Sequence, residues 1–254
     1  MVLVSPVNVS ASRPGPDLDA ILDAARPSTL DVHWDLHHNR SVVTVVDPYP
    51  LTRVAVERLD LRAHTGVHPR FGVVDVVPFV PFAGSTMTDA LRARDAFAAW
   101  LAEELGVPSA LYGPDGPGLP ELRRDVLPRL TPHPTAGVVA VGARGPLVAY
   151  NLWVDVDLAT AQATARAVRS PAVRALGLPV GDRVQVSMNL VDPLEVGPGA
   201  AYDAVAALVP VVGAELVGLV PEAVLRAEPE RRWAELDLAA DRTVEARLGA
   251  LPTD

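Results

Sequence analysis

The sequence predicts an α/β (α+β) fold made of two subdomains, and three observations carry that expectation. Residues 2–77 run strand, helix, strand, strand, helix, strand, the split βαβ or ferredoxin-like order. The part after residue 135 shows a similar alternation of β-branched segments and helical periodicity, as a structural duplication would. Between them, residues 114–134 are rich in Pro and Gly around one short helix, the best candidate for an inter-domain connection. The expected division is 1–134 and 135–254, with mixed β-sheets packed around a shared cleft that would hold the ligand.

Each element has its own signal. Residues 2–9 are strand-like, and residues 17–25 carry apolar side chains at helical spacing. Residues 30–35 and 41–46 are β-branched and apolar, separated by the polar turn His37-His38-Asn39-Arg40. Residues 51–64 read as an amphipathic helix along Val54, Leu59 and Leu61. Residues 71–77 show no alternation, which marks a strand covered on both faces. A longer helix over 88–105 has Ser85 or Thr86 as N-cap and Gly106 beyond its end, and residues 107–112 add a strand. The short helix of the Pro/Gly-rich stretch covers 121–127. In the second half, residues 138–141 and 147–154 suggest a hairpin turning at Arg144-Gly145-Pro146. A helix over 159–168, a strand over 183–191, a helix over 202–208 and a strand over 211–219 follow, and helices near Glu222 and Thr243 close the chain.

Composition narrows the chemistry. With 254 residues and 49% apolar content the chain can bury a sizeable core. A net charge of -9 and a pI near 5.1 argue against nucleic acid or an anionic membrane as main partner. No cationic segment precedes an apolar run at Met1, and the longest apolar run, 205–220, carries Pro210 and Glu215 and is too short to span a bilayer. A soluble cytoplasmic protein is the expectation. Cysteine is absent, which removes thiolate nucleophiles and Cys-zinc sites. All 22 basic residues are arginine, which removes Schiff-base chemistry and a P-loop lysine. No dinucleotide fingerprint and no Gly-x-Ser-x-Gly elbow is present.

The most informative stretch is 66–81, which sets His68 beside Pro69 and Arg70 on a short turn before an apolar strand. An imidazole there can move a proton while the neighbouring guanidinium holds an anion. Asp75, the one charge on that strand, must be paired or face a cleft, and a structural ion pair with Arg40 or Arg70 is an equal alternative. The spacings His33/His37 and His64/His68 could suggest a metal, but Gly66 and Pro69 interrupt the second and no Glu follows His64, so no metal is expected. His37 and His38 read as a solvated turn cluster. Asn151 and Asn189 lie in strands that are otherwise apolar, where a buried amide needs partners. Gln185, Ser187 and Asn189 share one strand face, either a face turned to water or a polar cleft floor; Asn151 favours the cleft.

Residues 66–82 also resemble the glutamate formimidoyltransferase family, the transferase half of formimidoyltransferase-cyclodeaminase, in which Gly-Glu-His-Pro-Arg-Met-Gly leads into Asp-Val-x-Pro-Phe-x-Pro. The similarity continues in order through Asn8-Val9-Ser10, Asn39-Arg40-Ser41, Ala102-Glu103-Glu104-Leu105, Leu111-Tyr112-Gly113 and Pro132-His133-Pro134-Thr135-Ala136-Gly137. It goes on through Val141-Gly142-Ala143-Arg144, Tyr150-Asn151-Leu152, the strand Gln185-Val186-Ser187-Met188-Asn189-Leu190 and residues 213–221. All four asparagines fall in matched motifs.

The resemblance implies a cytoplasmic homodimer of one-carbon metabolism and histidine degradation, with tetrahydrofolate bound as a substrate between the subdomains. A formimidoyl group would pass from N-formimidoyl-L-glutamate to a ring nitrogen of tetrahydrofolate. His68 would be the catalytic acid/base and Arg70 a substrate contact, with Asn8, Asn39, Arg40, Asn151 and Asn189 as further substrate-binding residues. His133, Thr135 and Gly137 would lie on the loop that binds the folate. The sequence departs from the family at Ala11-Ser12, at His33 and at Val67, where acidic residues or glycine are expected, and it lacks the Asp-Phe-Gly-Pro element before Pro132. These departures leave open a relative that binds a folate-like ligand without catalysis, or that moves a one-carbon group between other substrates.

Overall fold

The computed structural model describes residues 2–66 and 70–252. The chain divides into two compact units, the first running to Gly145 and the second spanning Pro146–Ala250.

The first unit contains β1 (Val2–Val9), α1 (Pro16–Ala25), β2 (Thr29–Asp35), β3 (Arg40–Val45), α2 (Tyr49–Arg58) and β4 (Val74–Phe82). It then adds α3 (Met87–Leu105), β5 (Ser109–Tyr112), the single turn α4 (Leu119–Glu121) and β6 (Val139–Ala143). The strands lie in the order β2-β3-β1-β4-β6-β5. The first four pair antiparallel, whereas β6 is parallel to both β4 and β5, so the sheet is mixed. The second unit contains β7 (Val148–Val154), α5 (Leu158–Ala167), β8 (Val173–Val180), β9 (Arg183–Leu190), α6 (Pro198–Ala206) and β10 (Val211–Val217). Its sheet, β10-β7-β9-β8, is antiparallel throughout. Each unit therefore carries the ferredoxin-like order, with β2-β3-β1-β4 matching β8-β9-β7-β10.

Local chemistry sets the helix ends. Pro16 occupies the first turn of α1, where its missing N–H costs nothing, and Asp17 and Asp19 face the positive end of the helix dipole. Thr86 and Asp89 form a capping box on α3, and Gly106 closes that helix in the left-handed conformation. The helix expected over 51–64 is shorter: α2 stops at Arg58, and residues 61–63 form a separate 3₁₀ turn started by Asp60, whose carboxylate accepts the Arg62 N–H at 2.9 Å.

The absence of alternation in β4 has a packing cause. On one face Val77 and Phe79 join the core beneath the helices, with Val7, Ile21, Leu51, Phe97 and Leu101. On the other, Val76 packs with Ala110, Ala140, Leu122 and Leu127. The last two belong to a helical run that continues α4 as far as Arg129. The Pro/Gly-rich stretch is thus a lid on the first sheet rather than a connection between units. Seven consecutive residues of β4 are buried for this reason, each apolar one contributing about 1.5–3 kcal/mol on leaving water.

Two more expectations change. Residues 138–141 and 147–154 do not pair as a hairpin. β6 pairs in parallel with β4 and β5, buried at every position, while β7 lies at the centre of the second sheet. Residues 135–145 accordingly belong to the first unit, and the division falls after Gly145. β8 is a strand that the apolar pattern does not announce. Its buried positions include Ala175 and Gly177, small because α5 lies directly on them.

The outer edge of β10 is occupied. The Leu216 N–H donates to Asp237 at 2.8 Å and its carbonyl accepts from Arg242 at 2.6 Å, so the C-terminal segment takes the place of a further strand. Among the described residues, no helix is long and apolar enough to cross a membrane.

A Cβ on Gly177 would sit 2.5 Å from the Gln162 amide nitrogen of α5. Gly177→Ala should therefore push α5 off the sheet and cost about 1–3 kcal/mol in a urea unfolding series, and an unchanged midpoint would contradict this packing.

Candidate functional site

A small pocket of about 10 Å³, room for about one water, lies in the first unit. Ser10, just past β1, and Asp75 on β4 form part of its wall, with His38, Asn39 and Arg40 from the β2–β3 turn and His64 and Arg70 from the segment leading to β4. Three of the expected substrate-binding residues, Asn39, Arg40 and Arg70, thus meet in one place.

Asn39 ties the walls together. It adopts a left-handed backbone (φ 48°), which Asn tolerates better than most residues. Its side-chain oxygen accepts the Ser12 N–H at 3.0 Å, its amide donates to the Thr65 carbonyl at 3.2 Å, and its own carbonyl accepts from His64 Nε2 at 2.9 Å. Ser12, which stands where the resemblance leads one to expect glycine, holds the Asp35 carbonyl at 2.7 Å. Ser10 donates to the Gly72 carbonyl at 2.8 Å, fixing the entry to β4.

Charge is concentrated on Asp75, which is 2% exposed. One of its oxygens accepts the Phe71 N–H at 2.8 Å, and the other pairs with the Arg123 guanidinium from the lid. The sequence suggested Arg40 or Arg70 as counter-ion; Arg123 pairs with the carboxylate directly, and Asp75 also acts on both Arg40 and Arg70. Burial pushes the pKa of Arg40 down and Asp75 works against it, with Arg123 adding repulsion. Arg70 is lowered by burial and likewise supported by Asp75. Both stay charged, because a guanidinium starts so far above neutrality. Arg40, Arg70 and Arg123 thus gather around Asp75, with Asp35 also acting on Arg40.

Two imidazoles join them. His38 is 7% exposed, not solvated as the turn sequence suggested, and its Nδ1 bonds Asp35. Asp35 also accepts the His38 N–H at 2.9 Å; burial works to raise its pKa, but these bonds hold it below the usual carboxylate range. The Asp35/His38 spacing of three residues was the available signal. His37 is exposed, stacking edge-on to His38. His64 is held neutral, its pKa lowered first by burial and then by Arg70 and Arg13.

The other expected residues lie elsewhere. Asn8 is half-buried mid-strand in β1, between β3 and β4, and does not line the pocket. His133, Thr135 and Gly137 build a tight turn. His133 Nδ1 accepts the Ala136 N–H at 3.0 Å, the His133 and Gly137 backbones exchange hydrogen bonds, and the Thr135 carbonyl holds the Leu61 N–H at 2.8 Å. Gly137 sits at φ 75°, against the Phe71 carbonyl. Asn151 is in the second unit, donating to Glu215 at 3.0 Å, and Asn189 is exposed on β9. On the stripe, Gln185 is buried, Ser187 half-buried and Asn189 exposed, so its exposure grows along the strand. His68 lies outside the described residues, and so does Val67. No group of three or more His, Asp or Glu that could hold a metal occurs among the described residues.

Two outcomes follow. Removing the carboxylate by Asp75→Ala leaves Arg123 facing Arg40 and Arg70 across a buried space, and should cost about 3–5 kcal/mol in urea unfolding. A loss under about 1 kcal/mol would contradict its role. For His64 the folded protein resists protonation more than the unfolded chain does. Its contribution to stability is therefore complete above the unfolded pKa near 6.5 and declines as pH falls below it. The unfolding midpoint of the wild type should fall faster between about pH 7 and pH 5 than that of His64→Phe, and parallel curves would contradict a half-buried imidazole that resists protonation.

Comparison with known proteins gives the family. Residues 2–144 match the family described as the formiminotransferase domain, N-terminal subdomain. The chain is 33% identical to a glutamate formimidoyltransferase of Streptococcus pyogenes serotype M1, over 76% of this chain and 78% of that protein. It is 33% identical to a glutamate formimidoyltransferase of Thermoplasma acidophilum, over 82% of each. It is 32% identical to the formimidoyltransferase-cyclodeaminase of Sus scrofa, over 87% of this chain and 50% of that longer protein. The matched model covers more than half of the chain, and with it the whole of the guanidinium-lined pocket: the chain belongs to the formiminotransferase family.

Proposed function

We propose that the protein transfers the formimidoyl group of N-formimidoyl-L-glutamate to a ring nitrogen of tetrahydrofolate. The observation that carries this reading is the chain's similarity over most of its length to glutamate formimidoyltransferases, with Asn39, Arg40 and Arg70 of the matched motifs gathered in one place beside Asp75. The donor is a dicarboxylate, and a guanidinium can pair with a carboxylate in a planar, bidentate way; on the family motif we assign that contact to Arg70. Holding a carboxylate there fixes the position of the amidine carbon and removes much of the entropic cost of bringing two substrates together.

The chemistry requires one proton to leave and one to arrive. The folate amine attacks the amidine carbon, forming a C–N bond and a tetrahedral intermediate, and its nitrogen must then lose a proton. The bond to the glutamate nitrogen breaks as that nitrogen gains a proton, releasing L-glutamate. An imidazole that titrates near neutrality performs both transfers in turn, and His68 is the residue we assign to it, on the resemblance of 66–82 to the family motif. The folate is a substrate, and the pterin and its glutamate tail would also engage His133, Thr135 and Gly137, with Asn8, Asn151 and Asn189 as further polar contacts. A homodimer is the assembly proposed.

Purified protein incubated with N-formimidoyl-L-glutamate and tetrahydrofolate should yield a formimidoyl folate and L-glutamate in equal amounts. His68→Ala should lower kcat by about 10²–10⁴-fold without changing the unfolding midpoint. Arg70→Met should raise the KM for the donor by about 10-fold or more. Absence of turnover, or a His68→Ala protein as active as the wild type, would overturn the reading.

A further inference from the structure

The turn at 133–137 is closed from inside by one imidazole. His133 Nδ1 lies 3.0 Å from the Ala136 nitrogen and 3.4 Å from the Thr135 nitrogen. A backbone N–H can only donate, so Nδ1 is the acceptor and the ring proton is on Nε2. Of the three residues inside the turn, Pro134 has no N–H and the other two point theirs at the ring. The backbone closes the same loop, since His133 and Gly137 exchange hydrogen bonds at 2.9 and 3.1 Å. Gly137 completes it at φ 75°, where a Cβ would sit 2.0 Å from the Phe71 carbonyl oxygen.

With those N–H groups turned inward, the carbonyls bond outward. The Thr135 carbonyl accepts the Leu61 N–H at 2.8 Å, and the Ala136 carbonyl accepts the Val73 N–H at 2.9 Å. The Val138 N–H adds a bond to the Phe71 carbonyl at 2.7 Å. Leu61 and Val73 bracket the segment that carries His64, Arg70 and, in the sequence, His68. Among the described residues of that segment, the regular structure is one 3₁₀ turn at 61–63 and the bridge of Gly72 to Gly137, which belongs to the same turn. Both ends of the segment are thus held by the turn, and the turn is held by His133.

We infer that His133 is a positioning residue for the transfer: its Nδ1 fixes the 133–137 turn, and the turn fixes both ends of the segment that bears His68 and Arg70. The inference rests on the proposed transferase reading and adds to it the group that steadies the segment of the acid/base. Contact with the folate is left to Nε2, because Nδ1 is already engaged. A shift of about 1 Å in a reacting group can cost about 10²-fold in rate, so a loosened turn acts on kcat.

The test uses the full-length protein and the variants His133→Ala and His133→Asn. An Asn side-chain oxygen stands close to the place of Nδ1 and accepts the same N–H groups, whereas Ala accepts none. With N-formimidoyl-L-glutamate and tetrahydrofolate as substrates, His133→Ala should lower kcat by about 10-fold or more, and His133→Asn should bring it back to within about 3-fold of the wild type. In hydrogen exchange the Leu61 and Val73 amides should exchange about 10-fold or more faster in His133→Ala and return toward wild-type rates in His133→Asn. A ring that acts only by touching the folate would raise the KM for tetrahydrofolate alike in both variants and leave these amides as protected as in the wild type. That result overturns the inference, as does a His133→Ala protein with wild-type kcat. In case His133→Ala fails to fold, nitrogen-15 spectra of the wild type in mildly alkaline buffer supply a second reading, with His133 assigned by its loss in His133→Asn. Nδ1 should appear as the unprotonated acceptor before any ligand is added, and a protonated Nδ1 overturns the inference. A wild type without turnover overturns the proposed function and the catalytic half of this inference, while the exchange rates still decide whether His133 holds the segment.

Discussion

A carboxylate buried in a strand of valines organises the first unit. At 2% exposure the Asp75 carboxyl group needs partners, and it finds a backbone N–H from Phe71 and a guanidinium from Arg123. Arg123 arrives on the lid that covers the second face of the sheet, so one ion pair both seats the lid and neutralises the strand. Arg40 and Arg70 then sit within reach of the same charge. Three guanidiniums thus gather around this carboxylate, and Asp35 also acts on Arg40, in a setting where each charge is screened less than on an open surface.

The two ferredoxin-like units show how one topology is finished in two ways. In the first, β6 and β5 extend the sheet in parallel beside β4, and helices on one face with the lid on the other bury β4 completely. In the second the sheet stops at four strands, and the edge strand β10 is blunted by side chains from the C-terminal segment, Asp237 and Arg242. The cores are built to match: Phe97, Tyr49, Phe79 and Trp100 cluster in the first, while a single buried Tyr150 anchors the second through a 3.0 Å hydrogen bond to the Leu236 carbonyl.

Much of this was legible in the residues, and the gaps have physical causes. The uninterrupted apolar run of β4 reads correctly as a strand covered on both faces, since no alternation can survive there. β6 carries the same signature, but Arg144-Gly145-Pro146 looks like a hairpin turn, and only long-range parallel pairing decides against it. β8 is missed because its buried positions are filled by Ala175 and Gly177, which leave room for α5 and so weaken the apolar signal. At the site, Asn39, Arg40 and Arg70 are found through motif resemblance, and geometry unites them. His38 is misjudged from sequence, and His64 is passed over. What defines them is a bond to Asp35 in one case and to the Asn39 carbonyl in the other, and burial that a polar turn does not advertise.

The most direct measurement of the central claim is a crystal structure of the protein saturated with N-formimidoyl-L-glutamate. The account predicts a donor carboxylate within hydrogen-bonding distance of both Arg40 and Arg70, with Asp75 still paired to Arg123. A saturated protein whose donor carboxylates lie away from both guanidiniums, with this pocket holding only water, would contradict it.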